Sequence, residues 1–254
     1  LNENAIEALT QISNANKNYV LLTNAPRPNH TVKIFLEKMG MDKSILEKVS
    51  TSGEIALNYL KKNYSKKSFY HIGPPRDFNL FTDFKKRKTE NITESSYFLC
   101  TGLFDQHDKD LNFYKNLLNN FTSKKMICTN PDLIVDRGKK REFCAGSVAV
   151  TFEKMGGEVV YFGKPFPEVY NQSIDYDKKK VLAIGDNLNT DIKGANNMNY
   201  DSMIIVNGIH KEEIKNNGIE KVKLKEKIIT ANDFFYFPKI ISDKKLTAKS
   251  KWLT

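Results

Sequence analysis

Long apolar runs and paired cysteines are scarce in this sequence, and each scarcity excludes a class of protein. The apolar runs are short, such as Val20–Leu22 and Met203–Val206, whereas a membrane-spanning helix needs ~18 consecutive apolar residues. No signal-peptide pattern is visible near Leu1, so we expect a cytoplasmic protein without a membrane partner. The sequence does not begin with Met, which indicates a fragment.

Cysteine and histidine are too few and too dispersed for a disulfide framework or a clustered metal site. The three cysteines, Cys100, Cys128 and Cys144, form no CxxC pair. An odd count without a secretion signal predicts reduced thiols. The histidines lie far apart and are expected in core or surface positions. They are His30, His71, His107 and His210.

Arginine is also scarce, although the net charge is +10. A basic protein suggests nucleic-acid binding, but only five of the 40 basic residues are Arg. Arg is the better fork for bases and phosphates, and the Lys residues are scattered through a chain rich in Asn and Ile. Nucleic-acid binding is therefore the weaker hypothesis, and it requires a contiguous basic face with aromatic residues between the lysines.

Apolar runs that alternate with amphipathic patterns predict an α/β protein. The first part reads as a helix over 4–13, a strand over Tyr19–Leu22, and a helix that ends at Gly40. Further helices are predicted over 108–121, Ala145–Met155 and 190–197, and the Lys-rich stretch Lys85–Lys88 as a solvated loop or helix face. Further strands are predicted over Ser68–Ile72, Ser96–Thr101, Lys125–Cys128, Val159–Phe162, Val181–Ile184 and Met203–Val206. The signals weaken after about residue 211, apart from a small apolar cluster at Phe234–Phe237.

Polar residues follow three of these strands directly. The segments are Thr23-Asn24, Gly163-Lys164-Pro165 and Gly185–Asp191. In open parallel sheets, binding sites form beyond the carboxyl ends of the strands. These segments, which are distant in sequence, are therefore expected to converge on one site.

The residue types in the three segments fit phosphoryl transfer. The hydroxyl of Thr23 and nearby backbone N–H groups can hold phosphate oxygens, and Lys164 offers a compact positive charge. Asp186 and Asp191 supply the hard oxygen ligands that Mg²⁺ prefers. Each segment alone reads as an ordinary turn. Their order and strand context together are far more specific.

These segments resemble the motifs of a known superfamily. LLTNAPRP (21–28), YFGKPFPEVY (161–170) and AIGDNLNTDIKGA (183–195) are similar to the second, third and fourth motifs of haloacid dehalogenase (HAD) phosphatases. The long insertion between the second and third motifs resembles that of subfamily IIA, the NagD-like phosphatases with a type C2 cap. The resemblance covers roughly residues 1–210.

The resemblance implies a HAD-like doubly wound parallel-sheet core with an inserted α/β C2-type cap. The core would comprise 1–50 and 159–254, and the cap 51–158. Thr23 and Lys164 would be catalytic residues, and Asn24 would bind the substrate. Asp186 would be a Mg²⁺ ligand, and Asp191 would be a second ligand or a carboxylate that orients the site. The substrate would be a small phosphorylated metabolite such as a sugar phosphate or nucleotide, selected by the cap. Self-association into a homo-oligomer stays open.

The first motif of the family, a strand followed by Asp-x-Asp-Gly, has no counterpart in this sequence. Its first Asp is the covalent nucleophile, and it normally precedes the helix that here covers 4–13. The triplet Asp175–Asp177 lies after the third motif and not behind an apolar strand, so we reject it as the nucleophile. We therefore expect the full-length protein to be an enzyme and the chain as given to be inactive. The alternative is a truncated or decayed, non-catalytic member.

Overall fold

The computed structural model describes residues 2–137, 140–175, 181–218 and 229–231. The described residues divide into two compact units. Unit 1 consists of the described residues within Leu1–Leu21, Lys33–Lys48 and Ser173–Thr254, and unit 2 of those within Leu22–Val32 and Val49–Gln172. The cluster Phe234–Phe237 and most of the triplet 175–177 lie outside the described residues.

Helices and strands alternate through most of the described chain. The helices are α1 (Glu3–Asn14), α2 (Asn29–Lys38), α3 (Ser52–Asn63), α4 (Leu111–Leu118), α5 (Ala145–Lys154), α6 (Pro167–Ser173), α7 (Lys193–Asn197) and α8 (Lys211–Asn217). The strands are β1 (Leu21–Thr23), β2 (Val49–Thr51), β3 (Phe69–Ile72), β4 (Tyr97–Cys100), β5 (Lys125–Cys128), β6 (Ile134–Arg137), β7 (Lys140–Phe143), β8 (Glu158–Tyr161), β9 (Leu182–Gly185), β10 (Asp201–Ile205) and β11 (Ile229–Ala231). This arrangement confirms the predicted α/β class.

Unit 2 contains a parallel sheet in the order β3-β4-β5-β8. The register aligns Ile72 with Cys100, Cys100 with Cys128, and Cys128 with Tyr161. All four strands therefore end level, and the loops that follow them leave at one edge. The inner strands are nearly continuous apolar runs, because a parallel sheet is covered on both faces.

Helices α4 and α5 cover this sheet and form the main core of unit 2. Val148, Ala149 and Phe152 of α5 are fully buried in it. The Phe152 ring meets Phe98 of β4 edge-on, with centroids 5.7 Å apart. Burial of an aromatic side chain of this size contributes roughly 1.5–3 kcal/mol to stability. The spacing of these residues was the signal that predicted α5.

Unit 1 contains a second parallel sheet in the order β11-β10-β9. Ala8 and Ile12 of α1 pack on Met203 and Ile205 of β10. The side chain of Asn2 caps α1 by accepting a hydrogen bond from the backbone N–H of Ala5. The predicted helix over 4–13 is thereby confirmed, with one residue more at each end.

The remaining described strands pair locally. Strands β1 and β2 form a two-stranded sheet, and β6 and β7 form an antiparallel hairpin. The predicted domain boundary at residue 158 falls on the first residue of β8, which shares a sheet with β5. The predicted domain limits of 1–50, 51–158 and 159–254 stay a prediction.

The cysteines of the described chain form no disulfide with one another and are buried. Burial raises the pKa of the Cys100 thiol to about 12, so this residue is an inert core side chain. Among the described helices, none is both long and apolar enough to cross a membrane.

Candidate functional site

The side chain of Asn24, just after β1, joins two loops of unit 2 that are far apart in sequence. Its amide nitrogen donates to Asp132 Oδ1 at 2.9 Å and to the backbone oxygen of Lys164 at 3.0 Å. Its oxygen accepts from the backbone N–H of Lys164 at 2.7 Å. Asn24 is only 6% exposed, so these bonds are made away from solvent. The predicted second and third motifs therefore meet directly.

Gly163 makes this approach possible. Its φ is +131°, a conformation that L side chains rarely adopt. A Cβ atom at this position would lie 2.8 Å from Asn24 Oδ1 and 2.5 Å from Pro131 Cδ. Only glycine therefore allows the Lys164 loop to approach Asn24 so closely.

Thr23 lies beside Asn24, and its hydroxyl is positioned by its own turn. Thr23 Oγ1 accepts a hydrogen bond from the backbone N–H of Ala25 at 3.2 Å. A hydroxyl that accepts one bond still has its proton to donate. The arrangement suits a group that donates to an anionic oxygen.

Asp132 is a site residue that the sequence analysis did not single out. It follows β5 in the segment Asn130-Pro131-Asp132, and its backbone N–H bonds Asn130 Oδ1 at 3.0 Å. Its backbone oxygen accepts from Gly146 at the start of α5. The signal that could have found it is the one used for the other three loops, polar residues directly after an apolar strand.

We expect Asn24→Ala to destabilise the protein by about 2–4 kcal/mol. The substitution leaves the Lys164 backbone groups and the Asp132 carboxylate without this partner in a largely buried position. Urea unfolding of the two proteins measures the difference. Asn63→Ala is the matched control, because the Asn63 side chain is exposed and bonds only its own helix at Tyr59. Equal stability of Asn24→Ala and Asn63→Ala would contradict the bridging role of Asn24.

His71 lies near the carboxyl end of β3 and is buried in the core. The sequence predicted a core or a surface position for it. Its Nε2 is 2.8 Å from Thr101 Oγ1, and the residue is 6% exposed. Burial, and secondarily the positive charge of Lys88, lowers the pKa of His71 to about 4, against a smaller opposite effect of Glu90. The neutral imidazole is therefore the form that the fold accommodates.

This lowered pKa predicts a loss of stability in acid. The unfolded imidazole takes up a proton near pH 6.5, whereas the folded one does so only near pH 4. Above pH 6.5 His71 is neutral in both states and the free energy of unfolding is undiminished. As the pH falls from 6.5 toward 4, only the unfolded state takes up the proton, so the free energy of unfolding falls, by about 2 kcal/mol at pH 4.5. We expect His71→Gln to flatten the pH dependence of urea unfolding between pH 7 and 4.5. His30→Gln, at an exposed histidine, should leave the dependence as in the parent protein; a parallel curve for His71→Gln would refute the assignment.

Asp186 and Asp191 lie in unit 1, in the loop and π-helical turn that follow β9. Asp186 Oδ2 accepts from the backbone N–H of Ile209 at 3.0 Å. Asp191 is 9% exposed, and its Oδ2 accepts from the backbone N–H of Asn187 at 3.1 Å. A Cβ on Gly185 would lie 2.2 Å from the Asp191 carboxyl carbon. Asp191 is thus packed under the loop that carries Asp186.

The donor set of this loop fits Mg²⁺ in kind, since both side chains offer hard carboxylate oxygens. Asp186 is half-buried and uses Oδ2 for Ile209, which leaves Oδ1 as a candidate ligand. Asp191 holds the loop backbone through Asn187, the geometry of an orienting carboxylate. No cluster of three or more potential metal-binding side chains occurs within the described residues.

The structure places the predicted site residues in two groups. Thr23, Asn24 and Lys164 belong to unit 2, where Asn24 and Lys164 are bonded. Asp186 and Asp191 belong to unit 1, on one strand-end loop. That both groups line a single pocket stays a prediction.

Thr23 ends β1, Lys164 follows β8, and Asp186 and Asp191 follow β9, so the strand ends of this α/β fold carry a hydroxyl, an ammonium and two carboxylates. Two family descriptions match the chain: "Haloacid dehalogenase-like hydrolase" over residues 1–85 and "HAD-hydrolase-like" over residues 161–226. Over both of these segments the chain is similar to haloacid dehalogenase-like hydrolases, which confirms the resemblance that its motifs indicated.

Relatives of known name are similar to parts of the chain. An acid sugar phosphatase of Staphylococcus saprophyticus is 32% identical over 102 residues, which are 37% of this chain and 39% of that protein. A 4-nitrophenylphosphatase of Schizosaccharomyces pombe is 33% identical over 94 residues, 34% of this chain and 31% of that protein. The matched segments thus span about a third of these relatives. Both names are consistent with subfamily IIA.

A solved structure matches more of the chain. A haloacid dehalogenase-like hydrolase from Brucella suis 1330 superimposes with a TM-score of 0.71 at 29% identity. The match covers 81% of this chain and 82% of that one. The HAD-like α/β fold predicted from the sequence is thereby confirmed.

Proposed function

We propose that the full-length protein is a Mg²⁺-dependent phosphomonoester hydrolase that acts through an aspartyl-phosphate. The observation that carries this proposal is the Asn24 side chain, which bonds both backbone groups of Lys164. This contact unites the loops that would hold the phosphoryl group. The similarity to haloacid dehalogenase-like hydrolases and the names of the relatives support the same activity.

The chain's own residues would divide the work of binding a phosphoryl group. Thr23 would donate its hydroxyl proton to one phosphoryl oxygen, because Oγ1 already accepts from Ala25. The Lys164 ammonium would neutralise negative charge on the transferring group, which is worth more in a site sheltered from water. Asn24 would position Lys164 and line the same loop.

Asp186 would hold Mg²⁺, and Asp191 would orient the loop that presents it. When bound, the cation would neutralise part of the phosphoryl charge. The nucleophile is assigned to the Asp-x-Asp-Gly motif that the family carries ahead of the helix equivalent to α1. Attack by the first carboxylate of that motif on phosphorus would break the bond to the leaving oxygen, and the second Asp would give that oxygen its proton, so that the alcohol is released. Water, losing a proton to the same Asp, would then hydrolyse the acyl phosphate.

We assign the substrate to the small phosphorylated metabolites, among which sugar phosphates and nucleotides are the first to test. Unit 2, with its own four-stranded parallel sheet, is proposed to contain the C2-type cap that selects the substrate. Because β8 belongs to this sheet, the proposed cap sheet extends to Tyr161, three residues beyond the predicted limit of 158.

A phosphate-release assay tests the proposal. The full-length protein should hydrolyse members of a panel of sugar phosphates, nucleotides and 4-nitrophenyl phosphate with Mg²⁺, and should lose this activity in EDTA. Residues 1–254 alone should fold and release no phosphate. A full-length protein inactive on the whole panel would refute the enzymatic proposal and favour the non-catalytic alternative.

A further inference from the structure

A basic cleft of unit 2 lies at the amino ends of strands β3 and β4. Ser68 and Ser96, which immediately precede these strands, line the cleft and are linked by a backbone hydrogen bond of 2.9 Å. The loop that carries Lys164 follows β8 at the carboxyl ends of the same parallel sheet. Four strand residues, about 13 Å, separate the two edges. The cleft is therefore distinct from the candidate phosphoryl site.

The cleft concentrates positive charge. Five of its lining residues are cationic, against two carboxylates, Glu90 and Glu94, so that the lining carries a net charge of +3. Glu90 is already paired with Lys88 at 2.7 Å. The cations are Lys66, Lys67, Lys86, Arg87 and Lys88.

Local structure accounts for only part of this charge. The 3₁₀ segment Pro75–Arg87 ends at the cleft, and the carboxyl end of a helix carries about half a negative charge. That attraction offsets about half a charge of the +3 and leaves an excess of roughly 2.5 charges. Lys66, Lys86 and Arg87 are exposed, and among the described residues none of these three forms an ion pair with a carboxylate. An anion with two or more charges would neutralise the excess.

The size and lining of the cleft favour a small ligand. It is an open surface depression with a volume of about 630 Å³, which is room enough for a small ion. Hydroxyls of Ser68, Thr89 and Ser96 line it beside the cations. Those of Ser68 and Thr89 donate to the backbone oxygens of Glu94 and Asn91, so the Ser96 hydroxyl is the one placed to donate to a phosphate oxygen.

None of the described residues that line the cleft is aromatic. Single-stranded nucleic acids bind through aromatic platforms on which bases stack. The nearby rings lie beneath lysines instead: Lys88 is 5.5 Å from the centre of Phe78, and Lys67 is 4.7 Å from that of Tyr64. The cleft thus offers charge and hydroxyls without stacking surfaces, which favours a small polyanion over an RNA.

We propose that this cleft is a second anion site, which binds a small molecule or inorganic ion with two or more phosphate groups. The proposal does not depend on the phosphatase activity, because it rests on the opposite edge of the sheet. An anion bound at this edge would contact the segments at 66–68, 86–90 and 94–96 at the same time.

Calorimetric titration with inorganic tripolyphosphate, without Mg²⁺ and at low ionic strength, tests this site. The protein should bind one equivalent at the cleft. The triple variant Lys66→Gln/Lys86→Gln/Arg87→Gln should bind at least about tenfold more weakly, given the loss of three charged contacts. All three residues are exposed, so the fold should be retained, as circular dichroism would check. Arg87→Gln alone should give a smaller loss in the same direction.

Two controls separate this site from general charge and from the phosphoryl site. Lys109→Gln/Lys115→Gln/Lys154→Gln makes the same change in net charge at exposed positions of unit 2 and should bind within about twofold of the parent protein. Lys164→Gln should also retain binding. Equal weakening in both triple variants, loss of binding in Lys164→Gln, or no binding by the parent protein would overturn the proposal. So would an oligouridine RNA that binds more tightly than tripolyphosphate and loses that binding in the cleft variant.

Discussion

Asp186→Asn should reduce phosphate release by the full-length protein at least about 100-fold in kcat/KM, because it removes the carboxylate proposed to hold Mg²⁺. The substitution keeps the shape of the side chain. An amide oxygen can still accept the backbone hydrogen bond from Ile209 that Asp186 Oδ2 accepts now. Thermal unfolding should therefore change little while turnover falls, and the Mg²⁺ concentration for half-maximal activity should rise.

Asp201→Asn is the matched control for this prediction. Asp201 begins β10 in the same unit and is exposed, so its substitution makes the same change in charge without touching the loop after β9. It should retain the activity of the parent enzyme. Comparable activities of the Asp186 and Asp201 variants would remove Asp186 from the proposed site. A large fall in the unfolding midpoint of Asp186→Asn would instead assign it a structural role.

The buried parallel strands could be predicted closely from the sequence. The segments at 69–72, 97–100 and 125–128 are short, almost wholly apolar runs, and each falls inside a predicted strand. A strand covered on both faces needs apolar residues at successive positions, which makes the signal strong and local. The helix that contains Val148 and Phe152 was predicted for the same reason, since one face packs on the sheet.

Strands without an apolar run were missed. Strands β6 and β7 carry the sequence IVDR and KREF, whose charges give no apolar run. The neighbour of β8 in the sheet also could not be inferred from the sequence. Strand β8 pairs with β5, some thirty positions earlier, and the apolar pattern does not distinguish this pairing from one with β9. A hydrophobic pattern indicates a strand but not the strand with which it pairs.

Some residues of the candidate site could be predicted from the sequence and others could not. Thr23, Lys164, Asp186 and Asp191 could be nominated because each follows an apolar strand. The bridging role of Asn24 could not be predicted, because its hydrogen bonds join it to residues 108 and 140 positions away in sequence. No spacing rule applies at such separations.

The bonds of Asn24 to Lys164 make possible a substitution that separates charge from structure. Because the N–H and C=O of Lys164 are both fixed by Asn24, the main chain should keep its place when only the side chain is changed. Lys164→Met retains an unbranched apolar stem and removes the ammonium. We expect kcat of the full-length enzyme to fall about 10²–10³-fold, the usual effect of losing one preorganised charged donor in a transition state.

The stability of Lys164→Met is the critical comparison. Urea unfolding should give a free energy within about 1 kcal/mol of the parent value, whereas Asn24→Ala should lower it by more. Lys154→Met, the same substitution at an exposed lysine of α5 in the same unit, should leave both activity and stability unchanged, and Lys164→Arg should restore part of kcat by returning the charge in a different shape. If Lys164→Met retains full turnover, the ammonium has no part in the chemistry and the Lys164 loop serves only to bond Asn24. If it instead unfolds as readily as Asn24→Ala, the side chain rather than the backbone of Lys164 holds the loop in place.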